Sequence, residues 1–470
     1  MSAPATTEKK YLKWYQKLAY GSGDLASNCS YGLVSSFVLL YLTGTLGLDS
    51  AIIGSLMLAS KVLDGISDVI FGTLIDRTHS KLGKARPWML FGQVGVSLCL
   101  FLLFAIPAGS TTMQYIYFFI VYTALNAVFY TANGIAYSSL VALITKNNNE
   151  RVQLGSFRFM FAVVTNIFMG FAVTGMVEKF GSGAAGWRTT ALIFAIVGLV
   201  VNTISCLAVK ELSEEELSGN TSEAAEEGKA VAEEKKHGFA ETAKILVRNK
   251  YYLMILAIYI VYYIMSNLTT GAGVFCATYY WGDGSLLGQF SMMKMFPVII
   301  ALAIAPVLIK KTGSMQKVNF WGYAISSVLG IPMIYFAMQK NLSMFLLFMF
   351  IKGIFAGTLS GSLNALIAEA SGYTTRTTGI HMDGMMYSCS SLGVKVGGGI
   401  GTAAVGWLLK LGGFVGTATV QSESAIRMIF NLYITFPFVI GIIITVLLAF
   451  LDVEKANKKW DAEHQKEAQA

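Results

Sequence analysis

Twelve apolar stretches, each long enough to cross a bilayer, leave this chain few ways to fold. They fall near residues 18–43, 50–76, 87–108, 113–145, 153–177, 187–209, 250–279, 286–310, 318–338, 341–370, 378–410 and 425–451. A spanning helix needs about 20 apolar residues. In lipid, each segment must also satisfy its own backbone hydrogen bonds. The expected fold class is therefore an all-α membrane protein with twelve transmembrane helices. Charged residues make up 13% of the 470, against about 25% in soluble domains. Lys9, Lys10, Lys13 and Lys17 precede the first stretch. No convincing cleavage site follows, so the stretch is expected to remain as a span and not to be removed as a signal peptide. Cys29, Cys99, Cys206, Cys276 and Cys389 all lie in apolar stretches and read as small packing residues, not as a disulfide set.

The distribution of basic residues sets an orientation. With the N-terminus inside, 26 of the 35 Lys and Arg fall in inner segments, and only Lys179, Arg188, Lys340, Lys410 and Arg427 fall in outer loops. By this bias both termini and the linker are expected in the cytoplasm; the expected location is the cell's inner membrane. The bias also accounts for the net charge of +8 without a nucleic-acid partner. Between the sixth and seventh stretches, Glu211 to Arg248 is polar and charged, with the run SEEELSGNTSEAAEEGKAVAEEKK, the composition of a soluble linker. The expected domains are an N-terminal six-helix bundle (1–210), a linker (211–249), a C-terminal six-helix bundle (250–452) and a tail (453–470). The halves repeat. SLVALI at Ser139–Ile144 returns as SLNALI at Ser362–Ile367, and LIDRTHS at Leu74–Ser80 as LIKKTGS at Leu308–Ser314. Each motif recurs six spans later. Parallel six-helix repeats are the organisation of the major facilitator fold, whose substrate site lies near the midplane.

Few charges interrupt the spans. The N-terminal half has Asp24, then Lys61, Asp64 and Asp68, then Arg158; the C-terminal half has Lys294, Lys352, Glu369 and Lys395. Asp64 and Asp68 are four residues apart and share a helical face with Lys61. An intramembrane carboxylate is expensive and marks a functional site by default. One lysine cannot neutralise two aspartates, so the cluster points to a bound cation or proton. Ser67 and Thr131 could add hydroxyl oxygens suited to a hard cation. The run Tyr130–Gly134, with Asn133, is polar for mid-membrane and is expected to face a cavity. Packing or snorkelling accounts for Glu369 and Lys352, and Lys294 has no motif to assign it. Small-residue packing accounts for the glycines of GVKVGGGIGTA from Gly393, though not for Lys395. There is no HExxH, GxSxG, phosphate-binding GxxxxGK[ST] or Cys/His metal cluster, so neither a membrane enzyme nor ATP hydrolysis is expected.

The runs DGISD and RTHSKLGKARPW within Lys61–Trp88, ERVQLGSFR at Glu150–Arg158, and TGIHMDG followed by YS and KVGG within Thr378–Gly398 resemble the glycoside–pentoside–hexuronide:cation symporter family, the family of melibiose permease. The resemblance covers nearly the whole chain. It implies that Asp64 and Asp68 bind Na⁺, Li⁺ or H⁺, assisted by Ser67 and Thr131. It also implies that Asp24 and Arg158 serve the sugar, with Lys395 close to both sites; Asn133 and Ser391 complete the expected substrate set. The chain departs from the melibiose permease pattern where a second sugar-binding aspartate becomes Gly134, a tryptophan Ser138 and a lysine Gly23. His381 and Asp383 replace the family's usual Arg and Glu. These changes leave the cation site intact and weaken the case for a galactoside; Arg158 and Lys395 could equally engage a uronate carboxylate.

The resulting expectation is symport of a glycoside, pentoside or hexuronide by alternating access, with no cofactor beyond the coupling cation. The alternative keeps the fold and carries a lipid or another organic anion. Arg77, Lys84 and Arg86 are expected to close an inner gate by bonding helix ends of the other half, with contact to lipid headgroups as the competing role. The expected partners are the small-molecule sugar, a monovalent cation and the lipid bilayer; a monomer is compatible with the sequence.

Overall fold

The computed structural model describes residues 9–213, 216, 245–379, 383–418 and 420–467. Twelve long helices match the expected spans: α1 Trp14–Thr45, α2 Ser50–Asp76, α3 Arg86–Leu103, α4 Thr111–Ile144, α5 Asn148–Lys179, α6 Gly183–Leu207, α7 Lys250–Trp281, α8 Leu286–Thr312, α9 Met315–Met338, α10 Leu342–Thr378, α11 Asp383–Leu411 and α12 over 423–450. A final helix, α13, covers Val453–Glu467. Among the described residues, eleven helices are long and apolar enough to cross a membrane. The twelfth is α2, whose 27 residues suffice in length but whose apolar run is broken by Lys61, Asp64 and Asp68.

Short polar residues start the helices where the sequence turns apolar. The side chains of Asp49, Ser110, Asn147, Asn249, Ser314 and Asn341 each accept from backbone amides in the first turn of the helix that follows, satisfying donors that the helix itself cannot pair. Gly379 ends α10 at φ 71, a conformation that glycine adopts without strain. The five cysteines are buried and free, in keeping with a packing role.

Two compact units make up the chain. The first comprises the chain through α6, together with Ala277–Gly288 and Gly406–Ala425. The second comprises α7 up to Cys276, then Gln289–Val405, then the chain from Ile426. The sequence repeat reappears as a repeated fastening. In the first unit, the Glu211 carboxylate accepts from the amides of Lys84, Ala85 and Arg86 at 2.7–3.0 Å, capping the start of α3 from just beyond α6. In the second, Glu454, just beyond α12, accepts from the amides of Met315 and Gln316 at 2.8 and 3.0 Å and from the Ser314 hydroxyl, capping α9. Both carboxylates sit where a helix N-terminus is positive.

Within the first unit, a seven-residue π-helical stretch, Ala124–Tyr130, widens α4 just before Thr131. Such stretches recur at functional sites because they re-aim the side chains that follow.

Candidate functional site

Asp64 is buried, and its carboxylate joins α2 to α4. Its Oδ1 accepts the Thr131 hydroxyl at 2.6 Å, and its Oδ2 lies 3.5 Å from Lys61 Nζ. Lys61 stands over the Tyr31 ring of α1 at 5.6 Å, a favourable place for an ammonium. Tyr31 in turn stacks on Tyr130 of α4 at 5.3 Å. The Ser67 hydroxyl donates to the backbone carbonyl of Asp64 at 2.9 Å, so its lone pairs alone remain for a ligand. Asp68 is half-buried one turn further along α2. Among the described residues, no three His, Cys, Asp or Glu side chains come together as a metal cluster. The oxygen donors here are two carboxylates and two hydroxyls.

A second ion pair joins α5 to α1. Arg158 Nε of α5 donates to Asp24 Oδ2 of α1 at 2.6 Å, and its guanidinium lies 4.1 Å from the centroid of the Tyr137 ring on α4. The Tyr137 hydroxyl donates to the Tyr20 carbonyl at 2.7 Å, and the Tyr20 hydroxyl donates back to the Tyr137 carbonyl. Gly23 permits this approach: a Cβ there would stand 2.7 Å from the Tyr137 ring. Gly134 faces open space, with nothing within 4 Å of where its Cβ would be.

Helix geometry relates the two clusters. Asp24 and Tyr31 are seven residues apart on α1, and Tyr137 and Tyr130 are seven apart on α4. Each pair therefore spans two turns of one face, about 10 Å along the axis. At one level lie Asp24, Arg158 and Tyr137; at the other, Tyr31, Tyr130, Lys61, Asp64 and Thr131.

Residues 19–455, almost the entire chain, match the model of the MFS/sugar transport protein family. The chain belongs to that family. It is similar to the isoprimeverose transporter of Lactiplantibacillus pentosus, 26% identical over 478 residues, covering 100% of this chain and 96% of that protein. It is also similar to the putative glycoside/cation symporter YagG of Escherichia coli (strain K12), 24% identical over 449 residues and covering 95% and 93% of the two chains. The solved structure of a bacterial homolog of the human lysosomal transporter Spinster shares the fold, with a TM-score of 0.66, 13% identity, and coverage of 95% of this chain and 97% of that one. This is a family of multi-pass membrane transporters, not of enzymes.

Not every residue expected at the transporter's site is placed there. Asn133 is 2% exposed; its amide donates to the Met89 carbonyl at 2.7 Å and approaches Asn202 at 3.4 Å. It binds α4 to α3 and α6. Ser391 is exposed on α11. Lys395 is half-buried on the same helix. Gly393, Gly397 and Gly401 pack against Tyr259, Ile260 and Ile264 of α7. Two residues along a helix is a rotation of about 200°, so Lys395 projects away from that glycine seam. The residues expected to gate are placed as follows. The Arg86 guanidinium bonds the Cys206 carbonyl of α6 at 3.2 Å and the Leu82 carbonyl at 3.3 Å, both within the first unit. Lys84 contributes its backbone amide to Glu211, and Arg77 is exposed at the end of α2. Residue 381 and the side chain of Asp383 lie outside the described residues.

Sequence reasoning missed Tyr31 and Tyr137, and it noted Tyr130 only as part of a polar run. The seven-residue spacings Asp24–Tyr31 and Tyr130–Tyr137 were the available signal.

Proposed function

We propose that the chain is a symporter that couples inward flow of a monovalent cation to uptake of a glycoside, pentoside or hexuronide. One observation carries the reading: a buried carboxylate–hydroxyl–lysine cluster on α2 and α4 lies two helical turns from an Asp–Arg pair on α1 and α5, with tyrosines of α1 and α4 at both levels. Asp64, Asp68, Ser67 and Thr131 are read as the cation ligands, all oxygen donors suited to Na⁺ or Li⁺; the carboxylates could equally take H⁺. Asp24 accepts from sugar hydroxyls and Arg158 donates to them as a planar fork. The Tyr137 ring holds that fork in place, and Tyr31 or Tyr130 offers a flat apolar face to a sugar ring. Lys395 is read as the counter-charge supplied by the C-terminal half.

Cation binding to Asp64 draws the Thr131 oxygen into the ligand shell and fixes α4 against α2. Tyr130 and Tyr137 move with α4, so filling one cluster orders the other. The coupling is reciprocal: cation and sugar raise each other's affinity by the same factor. Both termini are read as cytoplasmic from the Lys and Arg bias, in a cell inner membrane. The test is uptake of a labelled sugar in membrane vesicles, competed by a panel of glycosides, pentosides and hexuronides, with and without Na⁺, Li⁺ and a pH gradient. The reading expects one substrate class to compete and one cation to stimulate. Uptake that no cation stimulates would overturn it.

A further inference from the structure

The second unit contains a cavity that the transport reading does not use. It measures about 180 Å³ and is lined by α7, α8, α9, α10 and α12. Two lysines face it, Lys294 of α8 and Lys352 of α10. Close packing brings them together. A Cβ on Gly353 would stand 2.8 Å from Pro297, and one on Gly357 would stand 2.7 Å from Ala301. The two helices therefore touch in matching four-residue steps. Lys352 immediately precedes Gly353 and Lys294 lies one turn before Pro297, so both enter the cavity at one level.

The local structure offers these ammonium groups little. Lys294 Nζ has the Thr269 and Thr270 hydroxyls at 3.3 Å each. Lys352 makes no hydrogen bond or ion pair among the described residues. The described carboxylates of this unit are engaged elsewhere. Glu369 accepts from Asn457 at 2.8 Å, Asp452 faces Lys250 and Asp461 faces Arg376, Glu454 caps α9, and Glu463 pairs with Lys459. Glu369 is also about 25 Å along α10 from Lys352. Two half-buried cations without a counter-charge carry a desolvation cost, and a bound anion would offset it. Most of the remaining lining is apolar, including Met265, Met293 and Phe345.

We propose that this cavity binds a small organic carboxylate, with Lys294 and Lys352 supplying the positive charge and the apolar wall receiving its carbon body. A dry cavity of roughly 150 Å³ takes benzene, so benzoate is a suitable probe and benzamide its neutral isostere. The inference goes beyond the symport reading and does not depend on it. Binding is measured on the purified full-length protein in detergent, in buffer free of other carboxylates. Benzoate is expected to bind roughly tenfold or more tighter than benzamide, the range of a charged over a neutral hydrogen bond. Lys294→Met and Lys352→Met should each abolish that preference, while Lys352→Arg keeps it. Without ligand, Lys352→Met should melt higher than the parent, because an unmatched, half-buried charge is gone. Should Lys352→Met fail to insert, Lys352→Gln carries the same binding prediction. Equal binding of benzoate and benzamide, or a benzoate preference that survives in the variants, overturns the proposal.

Discussion

Thr131 donates its hydroxyl to Oδ1 of Asp64 at 2.6 Å, a side-chain bond that fastens α4 to α2. The same hydroxyl lies 2.9 Å from the Asn126 carbonyl, five residues earlier, within the π-helical stretch that turns Thr131 toward α2. Thr131→Val keeps the shape and removes the oxygen. It should weaken cation binding by about 1–2 kcal/mol, as expected for a lost bond to a charged partner. Sugar binding in cation-free buffer should change little. Titration of the purified protein with Na⁺ and Li⁺ checks this; an unchanged cation affinity would remove Thr131 from the site.

The Asp24–Arg158 pair makes the opposite prediction. Asp24→Asn or Arg158→Ala leaves the remaining partner unmatched and should weaken sugar binding by about 1–3 kcal/mol, with cation affinity in the absence of sugar largely kept. Tyr137→Phe tests how the pair is positioned, because it keeps the ring under Arg158 and deletes the bond to the Tyr20 carbonyl. It should lower sugar affinity less than either charge change. Isothermal titration with the preferred sugar ranks the three, and normal binding by both charge variants would place the sugar elsewhere.

Asp49 gives a prediction about pH. It caps α2 through the amides of Ala51 and Ile52 at 2.9 and 3.4 Å and meets Lys410 Nζ at 2.6 Å. Partial burial pushes its carboxyl up, but the bond from Lys410 and the two amide bonds outweigh burial and hold it below the usual value. A lowered carboxylate contributes stability above its unfolded value, about 3.9, and loses it as pH falls through the folded one. Asp49→Asn keeps the cap and removes the charge. It should cost less than about 1 kcal/mol near neutral pH, because the pair is partly exposed. Thermal unfolding of both proteins from neutral pH to about 3 reads the gap, which should shrink toward the acid end. A gap that stays constant would show that the charge does not contribute.

The parts legible in the sequence are those that lipid makes conspicuous. Apolar runs of about 20 residues can be read directly, and Asp64 and Asp68 stand out because α2 is otherwise apolar. Asp24 and Arg158 stand out as charges in apolar spans, and they meet. What stayed hidden depends on where a polar group finds its partner. Nothing in the sequence shows that the Asn133 amide donates to the Met89 carbonyl. Nothing in the sequence shows that the Arg86 guanidinium bonds the Cys206 carbonyl. Tyrosines are common in spans, so nothing in the residue type marks Tyr137 as the platform for Arg158. Lys294 and Lys352 are 58 positions apart, and only the fit of Gly353 and Gly357 against α8 brings them to one cavity.

The central claim is that Asp64 and Asp68 couple the cation to the sugar, and paired assays on Asp64→Asn and Asp68→Asn test it most directly. Each variant removes one of two carboxylates on a single helical face and leaves Asp24, Arg158 and Lys395 in place. In reconstituted vesicles with an imposed Na⁺, Li⁺ or proton gradient, both variants should fail to concentrate sugar. The same preparations should still bind sugar and exchange it down its own gradient, with the cation no longer raising its affinity. If both variants concentrate sugar as the parent does, with the parent's cation dependence, the two aspartates only pack α2 and the coupling mechanism is wrong.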